Sequence, residues 1–152
     1  MPGGETRQKS VLNGLNCISD KIDFIVIHDG ARPLVTKKII KDTLAVAIET
    51  GAAATGVKVI DTIKCVDDNN IILSTPERAK LRAVQTPQIF NKMLYLNAVS
   101  KVENSYNFTD DCKLIEAFGH KVTIVDGDYE NIKITTPNDV AVAEAYFSKR
   151  RK

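Results

Sequence analysis

The run Phe24-Ile25-Val26-Ile27 constrains this chain more than any other stretch. It is short, continuously apolar and rich in β-branched residues. That pattern suits a strand buried on both faces, as in a parallel sheet covered by helices. The run stops at His28-Asp29-Gly30-Ala31-Arg32-Pro33, where charge, a glycine and a proline crowd together. In open α/β sheets, ligands bind just beyond the carboxyl ends of the strands. An acid and a base at such an end make Asp29 and Arg32 candidate site residues. The alternative is a loop that merely ends a strand, with the two side chains paired to each other.

Helical and extended patterns alternate along the rest of the chain. Gly3-Gly4 allows close backbone approach to a ligand, because no Cβ intervenes. Behind it Val11, Leu12, Leu15 and Ile18 form one apolar helix face, with Ser10 at the entry as an N-cap or a hydroxyl offered to a ligand. Thr36 starts a helix that Gly51 stops, with Ile40, Leu44 and Ala47 along its buried face. Ala52 to Ile60 reads as a second buried strand. The turn Asp67-Asp68-Asn69-Asn70 and the extended Ile71-Ile72-Leu73 then suggest a projecting hairpin. Its exposed edges need protection, by pairing in a dimer or by packing on their own domain.

Pro87 favours an extended Thr86 and leaves that hydroxyl free. A helix follows over about Asn91 to Val102, with Met93, Leu94, Leu96 and Ala98 mostly in the core. Thr109-Asp110-Asp111 opens another helix with capping chemistry, and Gly119 ends it. Lys121 to Val125 is a strand. Asn131-Ile132-Lys133-Ile134 is a further short run before Thr136-Pro137-Asn138-Asp139, a strong helix start. Lys133, between two isoleucines at a strand end, is placed to meet an anion or is a common edge-strand lysine. The last helix carries Val140, Ala143 and Phe147 on one face.

Totals narrow the function. The 152 residues suffice for one domain, and 21 basic against 19 acidic residues leave a net charge of +2. That is no electrostatic footprint for nucleic acid, and the terminal Lys149-Arg150-Arg151-Lys152 cluster is simplest as a solvated helix end. No apolar run approaches a membrane span, and the first residues lack a signal peptide's apolar region. Cys17, Cys65 and Cys112 have no metal-ligand spacing and read as reduced thiols of a cytoplasmic protein.

Segments GGETRQKSV, HDGARP, DTIK, VQTPQIF and NIKITTP, in this order, resemble the 2-C-methyl-D-erythritol 4-phosphate cytidylyltransferases of the non-mevalonate isoprenoid pathway. TDDCKLIEAFG and the Glu77-Arg78 pair fit the same family, and the likeness runs from Gly3 to about Phe147. Close relatives acting on ribitol 5-phosphate share most of it, and Glu77-Arg78 with Asp61-Thr62-Ile63-Lys64 favours the methylerythritol acceptor.

The resemblance implies an α/β, Rossmann-like nucleotidyltransferase fold. It implies a single domain over 1–152, with a projecting β-arm at 61–77 that forms a homodimer. The implied reaction is cytidylyl transfer from CTP to the alcohol phosphate, releasing pyrophosphate, with Mg2+ bound through the CTP phosphates and no protein metal site. By matching position, Gly3, Gly4, Arg7, Ser10, Asp29 and Gly30 would bind CTP. Arg32, Thr62, Arg78, Thr86 and Thr109 would bind the acceptor, and Lys133 with Asp29 would be catalytic. Family members begin with a strand and a glycine-rich loop carrying an arginine and a lysine that grip the triphosphate, and nothing here matches them. Read this way, 1–152 is an N-terminally truncated, partial domain with weak or no turnover. The alternative from another class is a non-catalytic, dimerising module that binds a phosphorylated ligand.

Overall fold

In a computed structural model, the structure describes residues 3–5, 7–19, 21–102, 108 and 110–150. Its centre is β5 (Arg82–Asn91), buried continuously from Gln85 to Phe90. This strand pairs antiparallel with β1 (Phe24–Ile27) on one side and with β2 (Ala52–Lys58) on the other. A parallel partner, β6 (Thr123–Asp126), lies beyond β2, giving the order β1-β5-β2-β6. The lone proline of β5, Pro87, is therefore inside the central strand, and Thr86 is extended but not free.

The expectation that β1 is a doubly buried parallel strand is corrected. Among the described residues β1 pairs only with β5, in antiparallel register (Ile25 opposite Phe90, Ile27 opposite Gln88), and stands at the sheet edge. Ile25 is buried while Val26 is 50% exposed. The run is still apolar throughout because its outer side lines a groove of about 440 Å³ with Val11, Leu15 and Ile18. An apolar run reports apolar surroundings, not the presence of strands on both sides.

Helices cover the sheet where their caps and apolar stripes dictate. In α2 (Lys37–Thr50) the Thr36 hydroxyl accepts from the Ile39 amide at 3.2 Å. Gly51, at φ 83°, donates its N–H to the Ala47 carbonyl at 2.8 Å, a conformation that favours glycine. Ala47 is buried as expected, but its buried companions are Ile39 and Thr43, while Ile40 and Leu44 are half-buried and Leu44 packs against the Ala47 cluster. Thr43 can be buried because its hydroxyl donates to the Ile39 carbonyl at 2.7 Å and lies 3.1 Å from that of Thr55. Thr55 in turn donates to the Pro87 carbonyl at 2.9 Å.

Asn91 caps α3 (Lys92–Lys101) by accepting from the Leu94 amide at 3.1 Å. This helix buries Tyr95 and Ala98, whereas Met93, expected inside, is 61% exposed. The Tyr95 ring stands 5.5 Å from that of Phe90, and its hydroxyl donates to Asp111 Oδ1 at 2.6 Å. An aromatic ring with a polar tip is stable inside when that tip finds an acceptor. In α4 (Asp111–Ala117) the cap is Asp110, whose carboxylate accepts from the Lys113 amide at 3.0 Å.

Two further expectations change. Ser10 lies inside α1 (Arg7–Leu15) and is not its N-cap. The run 131–134 is no strand but a loop anchored by the Ile134 N–H to the Ala31 carbonyl at 2.8 Å. The final helix, α5 (Pro137–Arg150), starts where Asp139 accepts from the Thr135 and Thr136 amides at 2.9 and 2.7 Å. Between β2 and β5, β3 (Cys65–Val66) and β4 (Ile72–Ser74) form a separate antiparallel pair. Ile60, Ile63, Val66, Ile71, Ile72 and Leu73 around this pair are 40–67% exposed.

Candidate active site

The site grows from an irregularity in the central strand. Ala54 opposes Gln88 but Gly56 opposes Val84, so Gln85, Thr86 and Pro87 face the single residue Thr55. Bulges of this kind bend a strand and re-aim its side chains. β1 ends opposite Gln88, so the His28–Arg32 turn comes directly against the bulged Thr86. The Thr86 hydroxyl accepts from the Asp29 amide at 2.9 Å.

Two cations meet on one carboxylate there. Arg32 Nε and Lys133 Nζ both lie 3.3 Å from Asp29 Oδ2. A second guanidinium nitrogen of Arg32 donates to the Asn131 carbonyl at 2.8 Å. Arg32 and Asp29 are largely covered, while the Lys133 side chain is 48% exposed and can move toward a ligand. Burial pushes the Asp29 carboxyl up, but the hydrogen bond and charge of Lys133, then those of Arg32, outweigh it and hold the carboxyl below its usual value. Asp29, Arg32, Thr86, Gln88, Asp110 and Lys133 line a cavity of about 180 Å³. The cavity sets the Arg32 and Lys133 cations toward an anion, beside the carboxylates of Asp29 and Asp110.

Asn131 and Gln85 support this arrangement, and neither was singled out by sequence. The fully buried Asn131 amide donates to the Thr86 carbonyl at 2.9 Å and, more weakly, to Gln85 Oε1 at 3.4 Å. Gln85 Nε2 donates to the Asp128 carbonyl at 2.9 Å. Gly127 lets the loop come this close, since a Cβ there would sit 2.5 Å from Gln85 Oε1 and 2.8 Å from Thr55 Cγ2. One buried asparagine therefore ties the Lys133 loop to the bulge and holds Arg32 through its own carbonyl. The available signal was an asparagine heading the short run Ile132-Lys133-Ile134.

Gln88, also buried, clamps the start of α4. Its side-chain Oε1 accepts from the Asp111 backbone N–H at 3.2 Å and its Nε2 lies 3.4 Å from Asp110 Oδ2. That contact sets Asp110 on the cavity wall.

Other candidates lie elsewhere. Thr62 is exposed in the arm, and Arg78 donates to the Ile60 carbonyl at 2.6 Å. Arg78 lines a separate basic cleft of about 670 Å³ with Lys58 and Arg82. Neither residue lines the Asp29 cavity of its own chain. Gly4 donates its N–H to the Ser10 hydroxyl at 2.9 Å, which closes the loop of Gly3 and Gly4 onto α1. Arg7 contributes backbone to the first turn of that helix, and Gly30 is exposed in the site turn. Thr109 lies outside the described residues. Among the described residues no group of three or more His, Cys, Asp or Glu could hold a metal. No described helix is long and apolar enough to cross a membrane.

Residues 1–149 match the family described as 2-C-methyl-D-erythritol 4-phosphate cytidylyltransferase (IspD). This chain belongs to that family. A relative of that name from Caldanaerobacter subterraneus is 51% identical over 148 residues, covering 97% of this chain and 65% of its own length. Another from Desulforamulus reducens is 48% identical over 151 residues, covering 99% and 64%. The chain thus spans a little under two thirds of these relatives.

Solved structures agree in fold. The 4-diphosphocytidyl-2C-methyl-D-erythritol synthase of Anaerococcus prevotii superposes with a TM-score of 0.90 at 35% identity, over 96% of this chain and 68% of that one. The Thermus thermophilus cytidylyltransferase gives 0.85 at 33%, over 96% and 71%. The α/β nucleotidyltransferase fold expected from sequence is the fold of these neighbours.

Proposed function

We propose that this protein transfers a cytidylyl group from CTP to 2-C-methyl-D-erythritol 4-phosphate, releasing pyrophosphate for isoprenoid precursor synthesis. The convergence of Arg32 and Lys133 on Asp29 beside the Thr86 bulge supports it most directly. In this transfer an acceptor phosphate oxygen attacks the α-phosphorus of CTP, and the bond to the β-phosphate breaks. The attacking oxygen is already an anion, so no general base is required. Catalysis then consists of positioning two polyanions and stabilising charge that spreads over the reacting phosphoryl oxygens. Lys133, half-exposed, swings from Asp29 onto the α-phosphate, while Asp29 keeps Arg32 in place. Arg32, with its planar fork, suits the acceptor phosphate.

CTP would arrive as its magnesium complex. Mg2+ binds substrate phosphates with only one or two carboxylates and several waters. That suits a cavity where Asp29 and Asp110 are present and no dedicated protein metal cluster exists among the described residues. The ion would screen the charge of the triphosphate.

A homodimer in the cytoplasm completes the proposal. Arg78 and Thr62 do not line their own chain's Asp29 cavity, yet they sit on or beside an arm whose apolar residues are exposed. An arm laid across a second copy would cover those residues and carry Arg78 to the neighbour's cavity. The exposed cysteines Cys17 and Cys65 suit a reducing compartment. The test is pyrophosphate release by the purified chain with CTP and either methylerythritol phosphate or ribitol 5-phosphate. Release with the first acceptor, lost in Lys133→Ala, is the expected result. Release only with ribitol 5-phosphate, or release undiminished in Lys133→Ala, overturns the assignment.

A further inference from the structure

A directed hydrogen-bond chain runs through His28. The Thr86 hydroxyl accepts from the Asp29 amide at 2.9 Å and lies 3.0 Å from His28 Nδ1. The other ring nitrogen, Nε2, lies 3.1 Å from the Arg32 carbonyl. A carbonyl oxygen only accepts, so Nε2 carries the hydrogen in that bond. In the neutral ring Nδ1 is then an acceptor, and the Thr86 O–H must point at it. The lone pairs of Thr86 are thereby left for the Asp29 amide. Every link has one direction: Asp29 to Thr86, Thr86 to His28, His28 to Arg32. The same turn is closed a second time by the Arg32 amide donating to the Asp29 carbonyl at 2.9 Å.

We propose that His28 is a positioning residue, whose Nε2–H tautomer fixes the Thr86 hydroxyl and with it the Asp29–Arg32 turn facing the cavity. Its bearing on catalysis rests on the cytidylyl-transfer reading; the network itself does not. His28 contacts no reacting group and moves no proton in this role. Replacing it frees Thr86 to rotate, removes the fixed acceptor from the Asp29 amide and loosens the carboxylate on which Arg32 and Lys133 meet. The ring also lines the apolar groove beside Ile27, so its packing must be separated from its hydrogen bonding.

The full chain, labelled with 15N, supplies the test. Long-range imidazole correlations at neutral pH should report the Nε2–H tautomer for His28. In His28→Leu, which keeps bulk but offers no acceptor, the Asp29 amide should exchange about tenfold faster. In His28→Asn, whose side-chain oxygen can take the place of Nδ1, protection should return. In single-turnover assays His28→Leu should slow transfer about 10- to 100-fold, and His28→Asn should recover most of it. An Nδ1–H tautomer in the wild-type chain, which needs no variant to fold, overturns the proposal. So does an Asp29 amide as well protected in His28→Leu as in wild type. Absence of turnover in the wild-type chain with these NMR results intact would instead count against cytidylyl transfer and leave the His28 network standing.

Discussion

Asn131→Ala is the sharpest probe of how the site is held together. The substitution deletes one good donor, at 2.9 Å from the Thr86 carbonyl, and one weak donor, at 3.4 Å from Gln85 Oε1. Both acceptors lie in the buried part of β5, and a buried group left unpaired costs about 1–3 kcal/mol. Against this, Asn131 Oδ1 is itself buried without a hydrogen-bond partner among the described residues. Its removal returns part of that loss, so a net destabilisation of about 2 kcal/mol is expected. For a chain of this size that corresponds to a melting shift of about 4–8 °C.

Urea denaturation of the full chain, followed by circular dichroism, measures the effect as a lower midpoint at unchanged slope. Asn131→Asp should lose more than Asn131→Ala at neutral pH, because it puts a carboxylate against the Thr86 carbonyl. A loss within about 0.5 kcal/mol, the scale of an ordinary surface substitution, would refute the role given to Asn131. Equal tolerance of alanine and aspartate would do the same.

Lys133→Met should raise the Asp29 pKa in an NMR titration, since Lys133 is the main influence lowering it. Because the folded value lies below the unfolded one, Asp29 contributes stability above the unfolded pKa, and that contribution is lost as pH falls through the folded value. Loss of Lys133 should therefore shrink this acid dependence, and an unchanged titration would contradict the pairing. Asp139 is held down to about 2 by the Thr135 and then the Thr136 backbone amides. Its contribution to the start of α5 should persist above the unfolded pKa and fade toward about pH 2. Asp139→Asn should speed amide exchange at Thr135 and Thr136, whereas unchanged rates would show that the cap does not order this turn. Leu73→Asp, on the exposed arm, should shift sedimentation at micromolar concentration from dimer to monomer with the fold retained, and a dimer that survives it would place the interface elsewhere.

Much of the architecture was legible because it rests on local chemistry. Thr36, Gly51, Pro137 and Gly119 marked helix ends through caps, a fixed φ or a left-handed backbone, none of which depends on distant residues. The turn at Asp67 was legible for the same reason: its carboxylate accepts from the Asn69 and Ile71 amides at 3.0 and 2.8 Å. What escaped depended on partners far along the chain. Among the described residues β1 pairs only with β5, far along the chain, and an apolar run cannot report that. The Thr43 stripe on α2 needed Thr55 and Ile39 as hydrogen-bond partners before a threonine could be buried.

In the site, Asp29, Arg32, Thr86 and Lys133 were nominated by residue type and motif, and the fold brings these four together. Asn131, Gln85 and His28 were not, because their work is done through backbone carbonyls and a neighbour's hydroxyl. Such roles leave no spacing or charge pattern in a sequence.

In the proposed transfer Lys133 and Arg32, gathered on Asp29, act on the phosphates of CTP and an alcohol phosphate. The most direct measurement is single-turnover transfer with enzyme in excess, using CTP labelled at the α-phosphate and 2-C-methyl-D-erythritol 4-phosphate. Label should appear in the cytidine diphosphate conjugate of the alcohol, with release of pyrophosphate. The rate should fall about 10²–10³-fold in Lys133→Ala. Transfer that proceeds undiminished without Lys133, or label that never reaches the acceptor, would contradict it.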